Sequence, residues 1–342
     1  MCRATKLTVI GAGAWGTTLA ALAADLLPTT IWAREESVAD AINRGHENTA
    51  FLAGFPLPPR LAATTDLSAA LVDADVVVVA VPSPYVRCVL LEACRSIDLR
   101  ALVVSVTKGL EAGTGERMTE VVVEALDGHD PAKIGLLAGP NLAREVMAGH
   151  PSATCVAFAQ LRYATDVQQL LTSDRLRIYT STDVVGCEIS GAVKNVIAIA
   201  AGMADGLGYG MNTKAALATR GLAELARLGT AIGGDPLTFL GLAGAGDLIA
   251  TCASPLSRNR LVGEQIADGR ALAELRSGTT TCAEGVSSVE AILALAARHG
   301  VEMPICQTVA SVLAGDMTPA DAVACLMGRT ATVELHDLSP RA

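Results

Sequence analysis

Aromatic side chains are scarce, with four Phe, four Tyr and two Trp among 342 residues. A protein that reads bases by stacking on them needs more. Positive charge is short as well: Lys+Arg 26 against Asp+Glu 35 leaves a net charge of −9. That balance excludes binding of nucleic acid or an anionic membrane through bulk charge. Charged residues make up only 18% and hydrophobic ones 51%, so the chain is too apolar to stay disordered. Its nine cysteines are odd in number, scattered and never spaced as Cys-x-x-Cys, unlike a disulfide framework or a structural zinc site. They read as reduced thiols packed as small hydrophobes, which points to the cytoplasm. The five histidines show no metal-ligand or triad spacing, and no Walker loop, G-x-S-x-G or zinc motif occurs. No metal is expected. Internal repeats and low-complexity tracts are also absent.

What is present is aliphatic and patterned. The length suggests two domains, at roughly 150 residues each. Residues 6–10, 29–33, 75–81, 101–106, 134–138 and 153–158 read as short buried strands. Val76-Val77-Val78-Val79-Ala80-Val81 is the least ambiguous of them. Helices are expected between them, at about 14–26, 37–44, 85–95, 116–126 and 163–172. Strands alternating with helices imply a doubly wound, mostly parallel α/β sheet. Past Asp183 the pattern turns helical throughout, over 187–204, 212–228, 257–268, 285–298, 304–314 and 319–327. The expected domains are 1–181, dinucleotide-binding, and 182–342, all-α and substrate-binding.

Between Lys6 and Asp25 no residue is charged, which imitates a signal or spanning segment. Gly11, Gly13 and Gly16 interrupt that run, so strand, glycine turn and helix is the better reading, and no stable membrane insertion is expected. Gly11-Ala12-Gly13-Ala14-Trp15-Gly16 is a G-x-G-x-x-G between the first strand and the first helix. The first glycine permits a tight turn, the second lets backbone approach a pyrophosphate, and the third lets helix pack on strand. Amides at the helix start then bind the anion without formal charge. Glycines that merely allow close packing are the alternative, but this position in a βαβ pattern favours a Rossmann-type NAD or NADP site. The second strand ends in Trp32-Ala33-Arg34-Glu35-Glu36. Arg34 suits a 2′-phosphate or adenine stacking and Glu35 suits a ribose hydroxyl, so NADP or dual use is expected.

In the stretch from Ile189 to Ala204 the only charge is Lys194. Its neighbours at helical spacing, Ser190, Gly191, Ile197 and Ala198, are small or apolar. Such a lysine is either held in a buried site, where its pKa falls toward that of a general acid/base, or snorkels its ammonium to water. Asn195 is its polar neighbour. Asp247, closing Leu242-Ala243-Gly244-Ala245-Gly246-Asp247, pairs with an ammonium or caps a helix. Ser257-Arg258-Asn259-Arg260 opens a helix after Pro255 and reads as a phosphate site or a solvated helix start. Lys108, in Thr107-Lys108-Gly109-Leu110-Glu111, sits at the carboxyl end of a predicted strand, where open α/β sheets bind ligands.

Taken together, the sequence resembles the bacterial NAD(P)-dependent glycerol-3-phosphate dehydrogenases from end to end. The carrying stretches are residues 11–16, 48–54 (NTAFLAG), 107–111, 139–146 (GPNLAREV), 191–224, 238–252, 257–260 and 283–286. The resemblance implies interconversion of dihydroxyacetone phosphate and sn-glycerol 3-phosphate for glycerophospholipid synthesis. It implies Lys194 as general acid/base, with Asp247 and Asn195 around the reacting end and Lys108 touching substrate and cofactor. Ser257, Arg258 and Asn259 match the substrate-phosphate site, and Gly139 and Asn141 a substrate-contacting turn. Gly11, Gly13, Ala14, Trp15, Gly16, Arg34, Ala143, Arg258, Cys282 and Glu284 are the expected cofactor contacts. Two departures stand out: Asn141 replaces the usual hydroxyl residue, and Cys282 stands where an aliphatic residue is common. Alternative readings are a hydroxy-acid reductase of the 6-phosphogluconate or ketopantoate type, and a non-catalytic NADP-sensing module. A homodimer is expected by analogy with other helical second domains.

Overall fold

The structure is a computed structural model and describes residues 6–278 and 283–330. The chain divides into two compact units, Met1–Thr107 with Met118–Val184, and Lys108–Arg117 with Val185–Ala342. The changeover falls at Val184/Val185, and the excursion Lys108–Arg117 belongs with the second unit.

The first unit is built on eight strands: β1 (Leu7–Ile10), β2 (Thr29–Trp32), β3 (Leu61–Thr64), β4 (Val76–Val79), β5 (Leu102–Ser105), β6 (Ile134–Ala138), β7 (Ser152–Phe158) and β8 (Leu176–Ser181). They form one sheet in the order β3-β2-β1-β4-β5-β6-β7-β8. Every pairing is parallel except β6 with β7. In β1, Leu7 is opposite Thr29 on one side and Val76 on the other, which sets the central register. The sheet is buried on both faces. Val76 and Val78 of β4 enter one apolar layer with Leu19, Val167 and Phe158, while Val77 and Val79 enter the other with Val86, Leu90 and Met118. Alternation along a strand accounts for the two layers, and helices covering both faces account for the continuous valine run.

This is the doubly wound, mostly parallel sheet expected from the sequence. Two strands were not expected. β3 is Leu-Ala-Ala-Thr, whose alanines carry no strand signature. In β8, Leu176 and Ile178 are buried while Arg177 and Tyr179 face out, as on a half-solvated edge. Charges in that stretch masked its two apolar positions.

The second unit is helical, apart from a single antiparallel bridge between Leu110 and Arg117 among its described residues. Its axis is the helix Val184–Gly206, in which every residue from Gly186 to Ala204 is buried. By length and composition it could cross a membrane, yet 89% of its apolar window is buried inside the protein. Helices Met211–Ala231, Glu284–Arg298 and Pro304–Ala314 share its apolar core through Leu225, Leu228, Ile292 and Val309. The helix Arg258–Ala267 crosses it at backbone contact. A Cβ on Gly202 would collide with the Arg260 carbonyl oxygen, and one on Gly263 with that of Ile199. Only glycine on each side permits an approach this close.

Candidate functional site

The first unit carries the glycine loop. Gly11 follows β1 with φ +112°, and a Cβ there would come within 2.7 Å of the Ala80 carbonyl oxygen. Gly16 packs directly on the Gly11 carbonyl, leaving no room for a side chain. Around Gly13, by contrast, a Cβ would meet nothing within 4 Å. Gly13 is the N-cap of helix Ala14–Ala24 and offers no side chain to its amides, and the first turn holds no acidic residue. The leading amides of a helix have no acceptor within it. Open space in front of them, no competing carboxylate and the dipole's positive end fit the pyrophosphate of a dinucleotide. The indole Nε1 of Trp15, next in the loop, is buried without a hydrogen-bond partner.

At the end of β2, Arg34 and Glu35 pair with each other, Arg34 Nε donating to Glu35 Oε1 at 2.8 Å, and both side chains are exposed. On the β6–β7 connection, Gly139 has φ +150° and Asn141 holds both its amide atoms buried with no partner. Ala143 begins the helix Ala143–Met147.

The second unit brings two lysines onto one carboxylate. Lys194 Nζ donates to Asp247 Oδ1 at 2.7 Å and to Thr251 Oγ1 at 2.6 Å. Lys108 Nζ donates to Asp247 Oδ2 at 2.7 Å. Asp247 is 2% exposed and Lys194 5%. Asp247 is presented by a wide π-helical turn, Leu242–Gly246, leading into helix Asp247–Ala253. Thr251, one helical turn on, donates to the Asp247 backbone carbonyl at 2.6 Å and so turns its oxygen toward Lys194. Gly191 faces the aliphatic stem of Lys108, where a Cβ would lie 3.4 Å from Cγ.

Electrostatics follow from this burial. Burial pushes the Lys194 ammonium down to about 8; Asp247 opposes the shift and Lys108 adds to it. Burial works to raise the Asp247 carboxyl, but Lys108 and Lys194 outweigh it and hold it below the usual carboxylate range. A neighbouring thiol, Cys252, is pushed up to about 12 by burial and stays protonated. The cluster is therefore a lysine poised near neutrality and held in place by a permanent anion.

A polar chain runs alongside. Asn259 Nδ2 donates to Asn195 Oδ1 at 3.0 Å, and Gly285 N donates to Asn259 Oδ1 at 3.0 Å. Asn195 Nδ2 in turn donates to the Gly191 carbonyl at 3.1 Å. Ser257 caps the helix Arg258–Ala267 by accepting from Arg260 N at 3.3 Å, which leaves its hydroxyl proton to donate. Arg258 is exposed at that helix start.

Family profiles match both halves of the chain. The N-terminus of NAD-dependent glycerol-3-phosphate dehydrogenase matches residues 6–164 and its C-terminus residues 183–324. A glycerol-3-phosphate dehydrogenase [NAD(P)+] 2 of Sphingopyxis alaskensis is 48% identical over 331 residues, 97% of this chain and 98% of its own. The chain belongs to the NAD(P)-dependent glycerol-3-phosphate dehydrogenase family. A second relative of the same name, from Corynebacterium diphtheriae, is 51% identical over 95% of this chain and 98% of its own. The crystal structure of a glycerol-3-phosphate dehydrogenase from Coxiella burnetii superposes with a TM-score of 0.90 at 35% identity, over 95% of this chain and 99% of that one. A ketopantoate reductase from Ralstonia eutropha reaches only 0.56 at 14% identity, over 93% of this chain and 100% of that one, a likeness of fold alone.

Within the dehydrogenase family, the sequence reading named Lys194, Lys108 and Asp247, which the structure joins, and Asn195 with Asn259, which it links. It missed Thr251, whose spacing of four from Asp247 on one short helix was the available signal. Glu284 lies in the first turn of helix Glu284–Arg298. Cys282 lies outside the described residues. Among the described residues no cluster of His, Cys, Asp or Glu could hold a metal.

Proposed function

We propose that the chain interconverts dihydroxyacetone phosphate and sn-glycerol 3-phosphate with Lys194 as general acid/base. Family membership makes it an NAD(P)-dependent oxidoreductase. The observation that carries the lysine's role is its place in the second unit: a buried ammonium near pKa 8, bound at 2.7 Å to Asp247 and at 2.6 Å to Thr251.

Reduction of the ketone needs a proton at oxygen, and Lys194 Nζ delivers it. Asp247 and Thr251 aim that nitrogen, and Asp247 raises its affinity for the proton. Lys108 stabilises negative charge developing on the oxygen, or the substrate phosphate. Ser257, Arg258 and Asn259 hold the phosphate at the start of helix Arg258–Ala267, where free amides and a guanidinium meet an anion. Asn195 supports Asn259, and Gly139 and Asn141 contact the substrate. In the first unit, Gly11, Gly13, Ala14, Trp15 and Gly16 receive the pyrophosphate of NAD or NADP, with Arg34 at the adenosine ribose. Ala143, Glu284, Cys282, Lys108 and Arg258 complete the cofactor contacts. When bound, the reduced nicotinamide supplies the hydride.

The product feeds glycerophospholipid synthesis in the cytoplasm, and the enzyme works as a homodimer. Support for the dimer is the exposure of Met211, Leu237, Leu240 and Ile249 in the second unit, at 62–72%. Support for the cytoplasm is that the seven described cysteines are all free thiols. A steady-state assay with dihydroxyacetone phosphate, comparing NADH with NADPH, tests the reading; silence with both overturns it. Light scattering on the eluting peak tests the dimer.

A further inference from the structure

The stretch Asn48–Gly54 was singled out by the sequence but takes no part in the chemistry above. It lies in the first unit, in a loop closed on itself: Leu57 N donates to the His46 carbonyl at 2.8 Å, and Gly54 N to Glu47 Oε1 at 2.8 Å. Asn48 is fully buried within it. Its Nδ2 donates to the Ala12 carbonyl at 2.8 Å and to Thr17 Oγ1 at 2.8 Å, while its Oδ1 accepts from Phe51 N at 3.2 Å. This orientation of the amide is the one that chemistry allows, since a carbonyl must face the NH2 and an N–H must face the oxygen. Thr17 Oγ1 reaches the same Ala12 carbonyl at 3.3 Å.

Ala12 is the residue between the first two glycines. Its carbonyl shares one rigid trans peptide plane with the Gly13 N–H, and the two point in opposite directions. Gripping the carbonyl therefore aims the amide. Gly13 is also the residue of the loop around which a side chain would meet only open space. With no Cβ on Gly13, little on that side resists rotation of the plane, and a rotated plane would offer an oxygen where an anion needs a donor.

We infer that Asn48 is a positioning residue for the cofactor loop: it locks the Ala12–Gly13 peptide plane so that the Gly13 N–H faces the pyrophosphate. The inference rests on reading residues 11–16 as the pyrophosphate site. NADH and NADPH share that group, so loss of the lock weakens both by the same factor, independently of the ribose phosphate.

The test measures dissociation constants of NADH and NADPH for the full chain by titration calorimetry. Asn48→Ala raises both about tenfold, the scale of one hydrogen bond's net worth. At saturating cofactor its kcat stays within about twofold, because the same bound geometry is reached once the site is filled. Thr17→Val, which deletes one acceptor without adding bulk, raises both by a smaller factor and combines less than additively with Asn48→Ala. It also carries the test should Asn48→Ala fail to fold. The control is Asn43→Ala: Asn43 braces Ala63 through bonds of 2.8 Å in each direction, away from the glycine loop. It lowers Tm but leaves both dissociation constants unchanged. Equal rises for Asn43→Ala at matched Tm, or no rise for Asn48→Ala and Thr17→Val, overturn the inference. A wild-type chain that binds neither dinucleotide overturns the cofactor-loop reading, and Asn48's role with it.

Discussion

Lys194 and Asp247 are joined at 2.7 Å, and that carboxylate's second oxygen is held equally close by Lys108. The three side chains form a chain in which each neighbour sets the lysine's proton affinity. Removing either partner should therefore move the pH profile in an opposite direction.

With Lys194 as the proposed proton donor, active below its pKa in the free enzyme, kcat/KM for ketone reduction should fall above about pH 8. Asp247 holds the proton on, so Asp247→Asn should shift that limb to lower pH as well as reduce kcat. Lys108 pushes the proton off, so Lys108→Met should shift it to higher pH. A pH–rate series at limiting substrate reads both directions, and two shifts of one sign would contradict the arrangement.

Lys194→Met should lower kcat by about a hundredfold or more, the loss expected for a positioned proton donor. Asp247 would keep Lys108 as counter-charge, so the variant should remain folded by circular dichroism. A near-normal kcat removes Lys194 from the chemistry.

Arg258→Ala should raise KM for dihydroxyacetone phosphate about tenfold or more, with a smaller change in kcat. An unchanged KM would place the phosphate elsewhere.

Glu224 gives a pH dependence of stability. Its carboxylate accepts from Ile305 N at 2.7 Å and Cys306 N at 3.3 Å, at the start of helix Pro304–Ala314. Burial still dominates and pushes it up to about 7. A carboxyl raised on folding contributes stability below its unfolded pKa of 4.5 that is lost as pH rises through 7. Wild type should lose about 2–3 kcal/mol across that window, and Glu224→Gln should not. Chemical denaturation at pH 4.5 and pH 8 decides it.

Gly263→Ala should destabilise by about 3 kcal/mol, because the new methyl would run into backbone at the Ile199 carbonyl and the Met203 nitrogen, which cannot swing aside. A neutral result would mean that the helix crossing yields.

The sequence revealed the site through contrast. Lys194 was visible because nothing else between Ile189 and Ala204 is charged, and the glycine loop because its spacing falls between a strand and a helix. Thr251 and Asn48 were invisible in those terms, since a threonine in a helix and an asparagine in a loop are ordinary until their partners are known. Their partners lie 57 and 36 residues away, at Lys194 and Ala12. The sheet shows the same division: Val76–Val79, buried on both sides, was plain, while Leu61–Thr64 needed its pairing with β2 to exist at all.

Two ammonium groups on one carboxylate leave a surplus positive charge in a dry place. Burial relieves it by letting Lys194 lose its proton near pH 8. A dianionic phosphate ester arriving there would supply the missing counter-ion and draw that proton back. Substrate binding at pH 8 should then take up protons from the buffer, so that the heat of binding scales with the buffer's ionisation enthalpy. The ligand would thus arm its own acid.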